Sequence, residues 1–162
     1  MSKASRRAGA PDTHLLSWRE LTPEQLAAWS GFLWAHAQVV RELDTDLERE
    51  HELPLTSYDV LFQLGIAADQ RLRMLELADK IVLSRSELAS VVDRLEQGGL
   101  VERGRGDVEP REIYVRMTGR GLEVLAEATP THISGIKKRF LERLSDEQTK
   151  QLAVIWPAVL RR

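Results

Sequence analysis

Apolar residues recur at three- and four-residue steps along most of the chain, the spacing of one face of an α-helix. The sharpest instance follows Ser84. Leu88, Val91, Val92 and Leu95 fall on one side of a helical wheel, and Ser86, Ala89, Ser90, Asp93, Arg94 and Gln97 on the other. Ser84 and Glu87 have the spacing of a capping box, in which each side chain satisfies the other's free backbone donor, and Leu83 and Leu88 that of a hydrophobic staple. Gly98 and Gly99 close the helix. Upstream, residues 73–80 read as a short helix with Leu75, Leu77 and Ala78 inward, and 81–83 as a turn. Downstream the period changes to two: residues 100–103 and 112–117 alternate as strands about a Gly/Pro-rich, charged loop at 104–111. Helix, turn, helix and hairpin in this order predict a winged helix over about residues 55–118.

The flanks keep the helical period. Thr22 and Gln25 form a second capping box with Pro23 at the first helical position. Leu26, Trp29, Leu33, His36, Val40, Leu43 and Leu47 then make a heptad seam over about residues 22–50. A seam outside the winged helix suits pairing with a second copy of the chain, with packing inside one chain as the alternative. The next helix is expected to be capped by Thr56 or Ser57, with Val60, Leu61 and Leu64 inward and Tyr58 and Phe62 to either side. Thr118 caps a helix carrying Leu122, Leu125 and Ala126, which Thr129-Pro130 should bend or interrupt because proline removes a donor and crowds the preceding turn. The pattern resumes with Ile133, Ile136, Phe140, Leu141 and Leu144. Ser145 and Gln148 box the start of a last helix with Leu152, Ile155, Val159 and Leu160, and Pro157 predicts a kink near Trp156. The expected fold is mainly α with a small β-hairpin wing: a winged helix-turn-helix flanked by N- and C-terminal dimerisation helices at about 22–50 and 119–161. Residues 12–162 form one domain, behind a basic tail at 1–11 (Lys3, Arg6, Arg7) that reads as disordered.

Composition narrows the function classes. At 162 residues, 43% apolar and 30% charged, the chain is of globular type. It has no apolar run long enough to span a bilayer and no apolar core of a secretory signal, so no membrane partner and a cytoplasmic location are expected. The absence of cysteine excludes disulfides and thiol redox sensing. His14, His36, His51 and His132 are scattered without metal-ligand spacing, and Gly104 and Gly106 lie in a hairpin instead of a phosphate loop. No metal, cofactor or catalytic set is expected. Net charge is −2 and the pI about 6.1, but the charge is divided. Glu42, Asp44, Asp46, Glu48, Glu50, Glu52 and Asp59 make residues 41–59 acidic, whereas the wing region holds Arg94, Arg103, Arg105, Arg111, Arg116 and Arg120.

The outer face after Ser84 carries short polar side chains and an Arg near the helix start. A helix entering a DNA major groove needs both, the first for close approach and the second to reach guanine edges. Arg85, Ser86, Ala89 and Ser90 are the candidates for base contact. Ser84 is engaged in capping, although a helix N-terminus can itself hold a phosphate. Arg111 at the wing tip suits a minor groove, and Arg105 and Arg73 suit phosphates. Arg94 has two readings, a phosphate contact or an ion pair with Glu109 that fixes the wing.

This region resembles the MarR (multiple antibiotic resistance regulator) family of transcription factors. The resemblance is carried by Leu77-Ala78, Leu83 through Ser86, Val92 through Glu96, Gly99 through Arg103, and Met117-Thr118 with Gly121. Glu109-Pro110-Arg111 stands where the family has Asp-x-Arg, and the likeness extends over about residues 20–162. Family members often have Thr and Arg where this chain has Ala89 and Ser90, which implies narrower base reading, and Val82 stands where a turn Gly is frequent. The resemblance implies a homodimer on a pseudo-palindromic site in double-stranded DNA, repression of neighbouring genes, and release by a small aromatic or phenolic effector. It also favours the ion-pair reading of Arg94. The effector pocket would lie between dimer helices and winged helix and would include Trp34, His36, Tyr58 and Phe62. Core or interface packing is the alternative for these side chains. A helical dimer that acts by protein contacts or ligand binding, without specific DNA binding, is the alternative function.

Overall fold

Capping side chains mark where most of the helices begin in the structure, a computed structural model that describes residues 20–105 and 112–160. The Thr22 N–H donates to Gln25 Oε1 at 2.9 Å and the Gln25 N–H to Thr22 Oγ1 at 3.2 Å, opening α1 (Pro23–His51). The same reciprocal bonds join Ser145 and Gln148 at the head of α6 (Asp146–Leu160). Thr118 opens α5 (Gly119–Arg139) by accepting the Gly121 N–H at 3.0 Å. One start departs from expectation. α2 (Leu55–Gly65) follows Pro54, and neither Thr56 nor Ser57 caps it. Its first N–H, that of Leu55, donates instead to Asp44 Oδ1 on α1 at 2.8 Å, a cap that local spacing cannot announce.

The chain divides into two compact units, residues 1–37 and 38–162. The described part of the first is the N-terminal half of α1 with its short lead-in. Its apolar side chains Leu26, Trp29, Phe32, Leu33 and Trp34 are exposed, and the Phe32 ring lies 6.1 Å from that of Trp29 and 6.2 Å from that of His36. The predicted tail at 1–11 lies outside the described residues.

In the larger unit α2 is central, packing against α3 (Met74–Lys80), α4 (Arg85–Gln97), α5 and the sheet. Val60, Leu61 and Leu64 are fully buried as the pattern predicts. Leu43 and Leu47, the last two positions of the α1 seam, join the same core, as do Leu77, the four inward residues of α4, Val101, Val115, Met117, Leu125 and Ala128. Arg139 ties α5 to α1 through Glu42 at 2.9 Å and the buried Asp46 at 2.5 Å, and Arg49 also reaches Asp46 at 3.1 Å. Part of the acidic stretch is thus neutralised within the fold.

The wing is larger than a hairpin. β2 (Val101–Arg105) and β3 (Ile113–Met117) pair antiparallel, and β1 (Arg71–Arg73) adds to the other edge of β3 with Leu72 opposite Val115, in the order β1-β3-β2. Arg73, expected within the short helix, is the last residue of this strand, and α3 begins at Met74. Three residues are too few for a period-two pattern to stand out. Gly99 closes α4 at φ 69°, a left-handed conformation that costs glycine nothing. At Gly121 a Cβ would collide with the Leu100 carbonyl oxygen and the Met117 side chain, so only glycine lets α5 start this close to the sheet.

α5 continues through Pro130, so of the two expected outcomes, a bend or a break, the break does not occur. Proline removes one N–H from the helical ladder. The residues around it are anchored regardless: Thr129 Oγ1 donates to the Leu125 carbonyl at 2.7 Å, and Leu125 and Ala128 are in the core. Pro157 likewise lies inside α6.

Candidate nucleic-acid interface

α4 is held from below by Leu88, Val91, Val92 and Leu95, each no more than 3% exposed. That burial fixes which residues face outward. Arg85, Ser86 and Ser90 are exposed and Ala89 is half-buried. The capping box is present in full: the Ser84 N–H donates to Glu87 Oε2 at 2.8 Å, and the Glu87 N–H to Ser84 Oγ at 3.3 Å. The Ser84 hydroxyl also donates to Glu87 at 2.6 Å. These bonds, the side-chain one first, hold the Glu87 carboxyl below its ordinary pKa. Ser90 Oγ donates to the Ser86 carbonyl at 3.1 Å, and Ser86 Oγ lies 3.2 Å from Ser84 Oγ. Since the Ser84 proton goes to Glu87, the Ser86 hydroxyl donates to Ser84 Oγ, so Ser86 and Ser90, with their protons engaged, offer mainly acceptor lone pairs outward. Arg85 supplies donors beside them.

The arginines of the wing region fall into two groups. Arg94, Arg105, Arg116 and Arg120 are exposed on the surface. Arg73 and Arg103 are engaged inside the fold. Arg73 pairs with Glu76 at 2.8 Å and with Glu112 at 2.9 Å, and both carboxylates push its pKa up. Tyr114 donates to the same Glu112 at 3.1 Å, which raises the phenol's pKa. Arg71 stacks over the Tyr114 ring at 4.0 Å and reaches the Arg105 carbonyl at 3.4 Å. A phosphate contact by Arg73, as expected from sequence, would therefore compete with two carboxylates. Arg103 bridges β2 to Asp93 and Glu96 of α4. In the sequence Arg103 stands out only as wing charge. The signal available was the i, i+3 pair Asp93 and Glu96 followed by an Arg on the next strand. Arg111 and Glu109 lie outside the described residues, and with them the ion-pair reading of Arg94.

Of the residues expected to hold an effector, Tyr58 and Phe62 lie together on α2, their rings stacked at 6.2 Å. Tyr58 is buried, 4.4 Å from the His132 ring, and its hydroxyl donates to Thr129 Oγ1 at 3.4 Å. Desolvation lowers the His132 pKa, and its Nδ1 has no hydrogen-bond partner. Phe62 lines an open, mainly apolar cleft with Ile66, Leu122, Leu125, Thr129 and Pro130. Trp34 and His36 belong to the first unit, where Trp34 is exposed and His36 adjoins Phe32. Among the described residues no cluster of His, Asp and Glu is arranged to hold a metal, and no helix is long and apolar enough to cross a membrane.

Known proteins share both the sequence and the geometry. The MarR family model matches residues 51–111, from the last residue of α1 past the end of β2 but short of β3. The transcriptional regulator HosA of Escherichia coli O127:H6 is 34% identical over 100 residues, which span 61% of this chain and 73% of that protein. The HTH-type transcriptional regulator MhqR of Bacillus subtilis is 31% identical over 101 residues, 62% of this chain and 68% of its own. Among solved structures, Sco3205 of Streptomyces coelicolor, a MarR family transcriptional regulator in complex with DNA, aligns with a TM-score of 0.82 at 33% identity, covering 86% of this chain and 88% of that one. AbsC, a MarR family transcriptional regulator from the same organism, gives 0.81 at 26% identity over 87% and 95%.

Proposed function

The chain belongs to the MarR family of transcriptional regulators, and from that premise we propose that it binds a pseudo-palindromic operator as a homodimer, with one α4 in the major groove of each half-site. The observation that carries this reading is the two-sidedness of α4. Its inner face is wholly buried, and its outer face presents Arg85, Ser86, Ala89 and Ser90, all short but one. Arg85 stands at the helix start, where a bidentate contact to guanine O6 and N7 is within reach. The serine lone pairs suit amino groups of adenine or cytosine. Arg94 and Arg105 supply phosphate contacts, Arg111 enters the minor groove, and the N-terminus of α4 at Ser84 adjoins the backbone. That Sco3205 is known in complex with DNA supports DNA as the partner.

Dimerisation follows from what DNA reading demands, since each half-site takes one recognition helix. The exposed apolar side chains of α6 and of the first half of α1 are the surfaces for it. Repression is the simplest action for such a dimer seated on a promoter. A small aromatic or phenolic effector would release it, bound near Tyr58 and Phe62 and helped by the apolar cleft beside them.

A gel-shift assay with DNA from upstream of the encoding gene tests the central point. A shifted band that survives excess unrelated DNA is expected, and a panel of small phenols is expected to contain one that abolishes it. A protein that shifts no upstream fragment would favour a helical dimer acting without specific DNA binding.

A further inference from the structure

Arg103 makes four polar contacts between β2 and α4. Its Nη1 pairs with Glu96 Oε2 at 2.9 Å, its Nη2 with Asp93 Oδ1 at 2.5 Å, and Nη2 also donates to the Ala89 carbonyl at 3.3 Å. Its backbone N–H donates to Glu96 Oε1 at 3.0 Å. Ala89, Asp93 and Glu96 follow one another at four- and three-residue steps, so they form one stripe along α4. Ser86 extends that stripe toward the N-terminus, which puts both carboxylates in line with the side chains that would meet DNA. Burial does not silence them: the Asp93 side chain is 54% exposed and that of Glu96 39%. Two free carboxylates there would oppose phosphates across a screening length of about 10 Å. The guanidinium spans both, and its planar fork suits this better than a single ammonium could.

We propose that Arg103 is a positioning residue for DNA recognition: it cancels Asp93 and Glu96 and fixes the wing strand to α4, and it does not itself contact phosphate. This rests on the DNA-binding reading above. It also separates Arg103 from the exposed arginines, whose charge is available to the backbone.

The test is operator binding over a series of salt concentrations for four full-length proteins: wild type, R103A, D93N/E96Q, and the triple variant, each checked by thermal unfolding. R103A is expected to lose about tenfold or more in operator affinity, because two carboxylates are left unmatched. The triple variant is expected to recover most of that loss with the wild-type salt slope. D93N/E96Q keeps an acceptor for the Arg103 N–H but frees the guanidinium, so it should bind unrelated DNA more tightly, with a steeper salt slope. A slope shallower by about one per half-site in R103A, without recovery in the triple variant, would make Arg103 a phosphate contact and overturn the assignment. Wild-type affinity in R103A would overturn it too. If R103A fails to fold, unchanged binding of unrelated DNA by D93N/E96Q has the same force. A wild-type protein that binds no operator defeats the DNA reading and this assignment with it, whereas wild-type binding with an indifferent R103A defeats this assignment alone.

Discussion

On α4 the inward residues Leu88, Val91, Val92 and Leu95 are between 0% and 3% exposed, whereas on α6 Val154, Ile155, Val159 and Leu160 range from 48% to 77%. Both helices start from a capping box and both carry apolar residues at helical spacing. What separates them is cover. α4 closes against α2 and the sheet within one chain, and its remaining face is free to present polar side chains. α6 displays aliphatic surface whose remaining burial would stabilise the protein by roughly 1–2 kcal/mol per side chain, each being already partly covered. The difference teaches that the covered region is built to hold a polar surface in place, and the uncovered one is suited to a second copy of the chain.

The largest effect should come from breaking the uncovered face. Ile155→Asp with Val159→Asp puts two charges where the proposed interface lies, and sedimentation should show a monomer. Operator affinity should fall by roughly two orders of magnitude or more, because one half-site alone loses the gain of linked binding. A variant that stays dimeric with wild-type DNA binding would move the interface elsewhere. In the covered region Leu88→Ala should cost about 2–5 kcal/mol in urea unfolding, the price of a cavity under α4. The two experiments sort the regions, since the first should abolish assembly and the second destabilise the fold itself.

Two smaller changes sharpen the contrast. Burial pushes the Asp59 carboxyl on α2 up to about 6. A raised carboxyl pKa favours the folded state while the group is protonated, and that advantage disappears as pH climbs through 4 to 6. Asp59→Asn should therefore stabilise the protein at pH 7 by about 1–2 kcal/mol, allowing for partial exposure. The gain should vanish near pH 4, and a gain independent of pH would show that charge is not its cause. Ser84→Ala, which removes the α4 cap, should cost about 1 kcal/mol in the same unfolding assay.

The parts of the fold legible in the sequence are those made by residues a few positions apart. Thr22 with Gln25, Ser84 with Glu87 and Ser145 with Gln148 specify their helix starts locally, and the wheel of α4 sorts inner from outer residues without tertiary knowledge. What escaped is made at a distance. Asp44 caps α2 from another helix, and β1 exists because β3 offers an edge. The site divides the same way. The outward face of α4 was readable from spacing, but the engagement of Arg73 by Glu112 and of Arg103 by Asp93 needed the sheet's register. For the aromatic residues, spacing carried no sign that Tyr58 would meet His132 and Thr129 from α5.

The central claim is that α4 reads base identity, and Arg85 tests it most directly. Wild type and Arg85→Ala would be titrated against a set of single-base operator variants at two salt concentrations. The account predicts a loss of roughly 1–3 kcal/mol per half-site on the parent operator, together with relaxed preference at one base pair. If Arg85→Ala keeps every base preference of the wild type, α4 is not the element that reads the major groove.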